Sequence, residues 1–120
     1  MIIAADHGLH MGLNFGLSQN GAVEHRNPFM AVMLPPWFTE QEDRHRIMTK
    51  NQQRMVTGLD LYRTLQGIRM AGLTNTEKEQ WVDVGESRRL KNGMDLLHNV
   101  VPEGRTCKDA AIVDEYCQCL

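Results

Sequence analysis

No stretch of the 120-residue sequence is an apolar run long enough to cross a bilayer. The opening Met1-Ile2-Ile3-Ala4-Ala5 is too short for the apolar core of a secretory leader, and no basic residue precedes it. Taken literally, these two absences describe a soluble chain that stays where it is made. No basic stripe is present, and a net charge of −2 favours no partner, so nucleic acid is excluded as an expected ligand. Internal repeats and low-complexity tracts are also missing. The length suits one modest domain, and the apolar fraction of 42% is near that of globular proteins.

What is present is a short apolar run that stops at chemistry. Met1 to Ala5 ends in adjacent Asp6 and His7, and Gly8 follows at once. A buried parallel strand of an α/β sheet delivers side chains in this way to its carboxyl edge, where sites in such sheets lie. Gly8 allows a sharp turn away from that edge. Asp offers a hard oxygen and His an imidazole nitrogen, a mixture suited to zinc, manganese or iron, with calcium also admissible. Asp6 and His7 are therefore the candidate metal ligands. The tripeptide alone is a weak signal, because polar residues rim many strand ends. His10, four positions after Asp6, is a candidate third ligand whose default reading is a surface imidazole.

Leu13 to Gly21 is rich in Gly, Asn, Gln and Ser and reads as a loop over the site. A short strand is expected over Gly21 to Arg26, and Glu24 with Arg26 suggests a salt-bridged turn before Pro28, with a solvated pair of little energetic worth as the preferred reading. Phe29-Met30-Ala31-Val32-Met33-Leu34 is a continuous apolar hexamer, the pattern of a strand buried on both faces. Pro35 and Pro36 cannot donate ladder hydrogen bonds and close it. Trp37 and Phe38 are expected to pack under the next helix. Thr39 and Glu42 have capping-box spacing, which predicts a surface helix to about Lys50 with Ile47 and Met48 as its narrow buried stripe. Arg44, His45 and Arg46 read as its solvated face. Thr57 followed by Asp60 predicts another helix start, with Leu61, Leu65 and Ile68 as the apolar face of a helix to about Ala71 and Gly72 as its stop. The chain thus divides into a sheet-and-helix part (1–72), a charged surface insertion anchored by Trp81 and Val82 (73–92), and a Cys-bearing tail (93–120).

Cys107, Cys117 and Cys119 are all the cysteines. Cys117 and Cys119 are too close for easy mutual bridging, so Cys107 is expected to pair with one and leave the other for a partner elsewhere. Such chemistry needs an oxidising compartment. The rival is zinc on His98, Cys107, Cys117 and Cys119, whose spacings match none of the compact knuckle patterns. Arg105 has an anion contact as one reading and the tying down of its loop as the preferred one.

Several blocks occur together and in order. Asp6-His7-Gly8 with Gly12, then Glu24-His25-Arg26-Asn27-Pro28, resembles the closing half of the sulfatase and alkaline-phosphatase superfamily. Gly58-Leu59-Asp60-Leu61-Tyr62-Arg63-Thr64-Leu65 looks like that family's helix with its Asp-Leu and Thr-Leu pairs. Val101 to Ala110, continuing through Cys117-Gln118-Cys119, is similar to an uncharacterised animal branch with a Cys-containing tail. The resemblance implies an α/β fold: a partial alkaline-phosphatase-like sandwich, made of a mostly parallel sheet with flanking helices. It implies a metal-dependent hydrolase or transferase acting on sulfate or phosphate esters, with Asp6 and His7 on one divalent ion (zinc, calcium or manganese). An extracellular or membrane-associated setting comes with it and agrees with disulfides. The family's nucleophile, a Ser, Thr or modified Cys, and its earlier metal ligands lie upstream and have no match here. Met1 also falls inside what should be a core strand. The resemblance therefore implies a fragment, cut at front and back, inactive alone and missing the remainder of its own domain. Ala5 replaces a Ser common before the Asp-His pair. His10 stands where Arg is common, which makes it the substrate-contact candidate. A reading from another class is a non-catalytic extracellular interaction or structural module, or a truncated gene product.

Overall fold

The computed structural model describes residues 1–72 and 90–118. The expected insertion therefore lies outside the described residues except for a short 3-10 turn at Leu90–Asn92, and Cys119 lies outside as well. Strand β1 (Ile2–Ala4) pairs with β2 (Met30–Val32), with Ile2 opposite Val32 and Ala4 opposite Met30. The apolar composition of both segments suits a pleated surface. The pairing is antiparallel, where a parallel neighbour was expected. The chain returns to the same end of β1 at which it left, so β2 has to run backwards. The expected burial on both faces is corrected too. Ile3, Phe29 and Met33 are exposed, and β2 itself is only half-buried.

Between the strands lie two helices, α1 (Leu13–Leu17) and α2 (Gln19–Arg26), where a loop and a strand were expected. Ser18 explains the difference. Its hydroxyl accepts from Gly21 N at 3.0 Å and caps α2. Ser and Asn serve helix starts as readily as loops, since both offer local oxygen acceptors. Arg26 lies over the Tyr116 ring at 5.7 Å.

After β2, Pro35 and Pro36 open a one-turn helix α3 (Pro36–Thr39), a position where proline fits. Thr39 is not the expected cap of the next helix; its hydroxyl donates to Pro36 O at 3.2 Å. Helix α4 (Glu42–Asn51) instead starts after Gln41, which makes no side-chain cap bond. Ile47 is buried as expected. Arg44 is not part of a solvated face: Nη1 donates to Leu97 O at 2.9 Å and the guanidinium lies over Phe38 at 5.3 Å. Trp37 is exposed and does not pack under α4.

Helix α5 (Gly58–Ala71) begins at Thr57 and stops at Gly72, as the sequence predicts. Its buried residues are Asp60 and Thr64, whereas Leu65 and Ile68 are 47% and 46% exposed, so the expected apolar stripe is not the face that packs. The partner of the polar face is the segment after residue 92. Thr64 Oγ1 accepts from Leu96 N at 2.9 Å, and Asp60 Oδ1 accepts from Met94 N at 2.7 Å. The core lies here, where Leu96, Leu97, Val101, Cys107 and Ala110 join Ile47. The region expected as a tail thus supplies most of the interior. Asn51 fixes it to α4, donating to Leu96 O (3.0 Å) and Asn99 O (2.9 Å) and accepting from Val101 N (2.8 Å). Among the described residues, no helix is long and apolar enough to cross a membrane.

Candidate metal centre

The last bond extending the ladder runs from Ala5 N to Phe29 O at 2.9 Å, and the chain bends at Asp6 and His7 directly afterwards. The strand end therefore presents both residues, as expected. The Asp6 carboxylate is used asymmetrically. Oδ1 accepts from His7 N at 2.9 Å, while Oδ2 faces His7 Nε2 at 3.5 Å. Two ligand atoms bound tetrahedrally at about 2.0–2.2 Å from one ion stand roughly 3.4 Å apart. The Oδ2–Nε2 edge has that length without rearrangement. Asp6 is 88% exposed and the His7 side chain 43%, so the pair opens to solvent.

Gly8 sets the next step. Its N–H donates to His25 O at 3.0 Å, which ties the loop to the last turn of α2. A Cβ at this position would overlap the Glu24 carbonyl oxygen, so glycine is required for the close approach. The Gly8 carbonyl lies 2.8 Å from His7 Nδ1 and 3.3 Å from His25 Nδ1. His10 closes the group. The ring centroids of His7 and His10 are 4.6 Å apart, those of His7 and His25 5.1 Å, and those of His10 and His25 5.7 Å. One ring nitrogen from each lies within 4.8 Å of the others. Phe15 packs edge-on to His25 at 5.3 Å. Their donor set, imidazole with an adjacent carboxylate, is one that divalent d-block ions accept.

Asp6, His7 and His25 border a cleft of about 550 Å³ whose lining also includes Arg54, Thr57 and Tyr116. That volume is within the usual range of ligand sites. Arg54 pairs through Nη1 with Glu103 Oε1 at 3.3 Å, while its Nε is buried and has no hydrogen-bond partner among the described residues. Arg105 has no anion-binding role here. Its Nη1 and Nη2 donate to Asp60 Oδ2 (2.7 Å) and Oδ1 (3.0 Å), and further to Met55 O and Asn92 O. It ties down its loop, the preferred expectation, and Asp60 serves both the start of α5 and this buried pair.

Cys107 is bridged to Cys117 across ten positions with Cα atoms 5.9 Å apart, one of the two pairings expected. The chain doubles back through Ala111, which has φ 57°, and Ile112 N donates to Cys107 O at 2.8 Å. The bridge removes two thiolates from the rival zinc set, and His98 Nδ1 instead meets Asp95 Oδ2 at 2.7 Å. Sequence reasoning placed Asp6, His7 and His10 at the site and missed His25 as a candidate ligand. Finding it required knowing that residues 19–26 are helical and return to the strand end.

Comparison with curated proteins and with solved structures gave no match. A family model described as "Protein of unknown function (DUF229)" matches residues 1–120. The chain therefore belongs to the DUF229 family.

Proposed function

We propose that this DUF229 chain carries one metal site of a sulfatase-like, metal-dependent hydrolase or transferase acting on sulfate or phosphate esters. The single observation that carries the reading is the 3.5 Å edge between Asp6 Oδ2 and His7 Nε2 at the mouth of the cleft. The resemblance of Asp6-His7-Gly8, and of the blocks after it, to the sulfatase and alkaline-phosphatase superfamily and its animal branch supports the ester chemistry. An alkaline-phosphatase-like α/β sandwich is the fold that goes with this reading, and an extracellular or membrane-associated setting agrees with the disulfide. A bound divalent cation would supply Lewis acidity toward an ester oxygen.

The chain's own residues do the rest. Asp6 and His7 hold the cation, and the Gly8 carbonyl orients the His7 ring through Nδ1. Arg26 and Arg54 line the cleft and draw the anionic group toward the metal pair. The nucleophile comes from residues other than these.

Calorimetric titration of inorganic phosphate into the zinc-loaded chain tests the reading. Saturable binding is expected, weakened in Arg54→Gln and abolished together with metal uptake in the Asp6→Asn, His7→Gln double variant. Equal phosphate binding by the wild type and that double variant overturns the proposal. By itself the chain is expected to leave aryl sulfate and aryl phosphate unhydrolysed. Turnover lost in Asp6→Ala would place the nucleophile within this sequence and overturn that part.

A further inference from the structure

We propose that His10 and His25 complete the site begun by Asp6 and His7, giving three converging imidazole nitrogens beside the Asp6 carboxylate, a set that selects a zinc-class d-block ion over calcium or magnesium. The inference rests on the reading that Asp6 and His7 hold a cation, and it adds the remaining ligands and the class of metal.

The first argument concerns protons. A carbonyl oxygen can only accept a hydrogen bond, so the Nδ1 atoms of His7 and His25 that meet Gly8 O must both carry hydrogen. In the neutral ring this leaves the Nε2 lone pair for a ligand. Metal-bound imidazoles are commonly oriented in this way, by a second ring N–H given to a backbone carbonyl. One carbonyl serves two rings here, and the Gly8 N–H bond to His25 O fixes that carbonyl against α2. The same assignment sets an Nε2 lone pair of His7 against Asp6 Oδ2 at 3.5 Å. A cation can be shared by two such acceptors at that separation.

The second argument concerns fit. Nitrogens bound tetrahedrally at about 2.0–2.1 Å stand roughly 3.4 Å apart, whereas the three rings have ligand atoms within 4.8 Å of one another. Closing that gap takes a movement of about an ångström, within reach of ring rotation. His7 and His10 are exposed and His25 is half-buried, so no packed core resists the change. His10 lies on a loop ending at Gly12, whose φ of +90° allows the reversal into α1. The third argument concerns selectivity. Calcium takes six to eight oxygen ligands and magnesium an octahedral oxygen shell, but the cluster of three offers nitrogen only. Imidazole suits zinc, copper, nickel and cobalt.

Calorimetry and cobalt(II) visible absorption on the whole chain, in a Cys119→Ser background so that this thiol does not compete, provide the test. Zinc is expected to bind one per chain, undisturbed by a large excess of calcium. Each of His10→Gln and His25→Gln should weaken it at least about tenfold, since even outer partners of metal ligands count for that much. X-ray absorption at the zinc edge of the unsubstituted site should count three imidazoles, a readout that does not depend on how the variants fold. A single imidazole there, calcium displacing zinc, or wild-type affinity in both His variants overturns the inference. If Asp6→Asn and His7→Gln still abolish binding in that case, the two-residue reading stands without it. Binding indifferent to all four substitutions overturns both.

Discussion

Replacing Arg105 by methionine should unfold this protein more readily than any loss of surface charge could. Asp60 is fully buried and Arg105 is 7% exposed. The carboxylate accepts from Thr57 N at 2.7 Å, Thr57 Oγ1 at 3.2 Å, Met94 N at 2.7 Å and both Nη atoms of Arg105. The guanidinium also satisfies Met55 O at 3.1 Å and Asn92 O at 2.7 Å. An exposed pair would contribute about 0–1 kcal/mol. Here Arg105→Met leaves a buried carboxylate without its counter-charge and two carbonyls without a donor, and removing one partner of such a pair costs about 3–5 kcal/mol. Asp60→Leu should cost as much, because it strands the guanidinium and the Thr57 and Met94 amides. The Asp60→Leu, Arg105→Met double variant has no buried charge left, yet the two amides still lack an acceptor at about 1–3 kcal/mol each, and Met55 O and Asn92 O have lost the guanidinium. It should therefore remain destabilised, but by at least about 2 kcal/mol less than the sum of the single variants. Urea unfolding followed by tryptophan fluorescence measures all three, provided the slopes agree. A cost below about 1 kcal/mol for Arg105→Met, or strict additivity of the singles, would refute the reasoning.

Three further outcomes follow from other parts of the structure. Reducing the Cys107–Cys117 bridge reopens a loop of ten positions, and the chain-entropy relation gives a loss of about 3 kcal/mol, read as a lower urea midpoint with dithiothreitol than without; equal midpoints would show that the bridge constrains nothing. Asn51→Asp keeps the acceptor for Val101 N but removes the amide that donates to Leu96 O and Asn99 O, so thermal melting should show a cost of about 1–3 kcal/mol, and an unchanged midpoint would count against it. The Thr106 hydroxyl and amide, hydrogen-bonded to Asp109, hold its carboxyl below the usual 3.8. Its support of the 106–110 turn is thus complete above that value and lost as pH falls through the lower folded one; protection of the Thr106 amide relative to its intrinsic exchange should drop there in the wild type and show no such step in Asp109→Asn.

Where the sequence was legible, a residue had one job. Thr57 and Asp60 announced the start of α5, and the prolines after Leu34 announced the end of β2, because sterics and capping act within a few residues. Asp6 and His7 were found at a strand end for the same reason. Arg105 was read as a tie from its place beside Cys107. Legibility failed where a residue serves two structures equally. Ser18, with Asn20 and Gly21, suits a loop as well as a capped helix, so α2 was missed and His25 with it. The face of α5 was misjudged because Leu61, Leu65 and Ile68 have helical spacing, while the contact actually made is polar and lies more than thirty residues away, at Met94 and Leu96. Periodicity reports which face could be buried by apolar contact and carries no information about a partner that binds through hydrogen bonds.

The same division explains how the exposed site can hold a shape. Asp6 and His10 meet solvent, and their own backbone has little core beneath it. The opposite wall of the cleft is different, because Met55, Thr57, Gly58 and Cys107 are among its lining residues. Arg105 grips Met55 O, Asp60 grips Thr57 N, and the disulfide grips Cys107. Each of these ties is a strong, directional bond made in the interior or a covalent one, so that wall resists displacement. The histidine side is tied by fewer and weaker bonds, chiefly Gly8 N to His25 O. Local openings cost least where buried contacts are few. A ligand entering the cleft therefore meets one fixed wall and one adjustable wall, and closure of the imidazoles moves only the adjustable one. Loosening the fixed wall by Arg105→Met should accordingly weaken phosphate binding even though Arg105 touches no ligand, while zinc affinity, set by the other wall, should hold. Calorimetry on that variant, at a temperature where it remains folded, decides the matter: parallel loss of zinc and phosphate would show that the two walls are not independent.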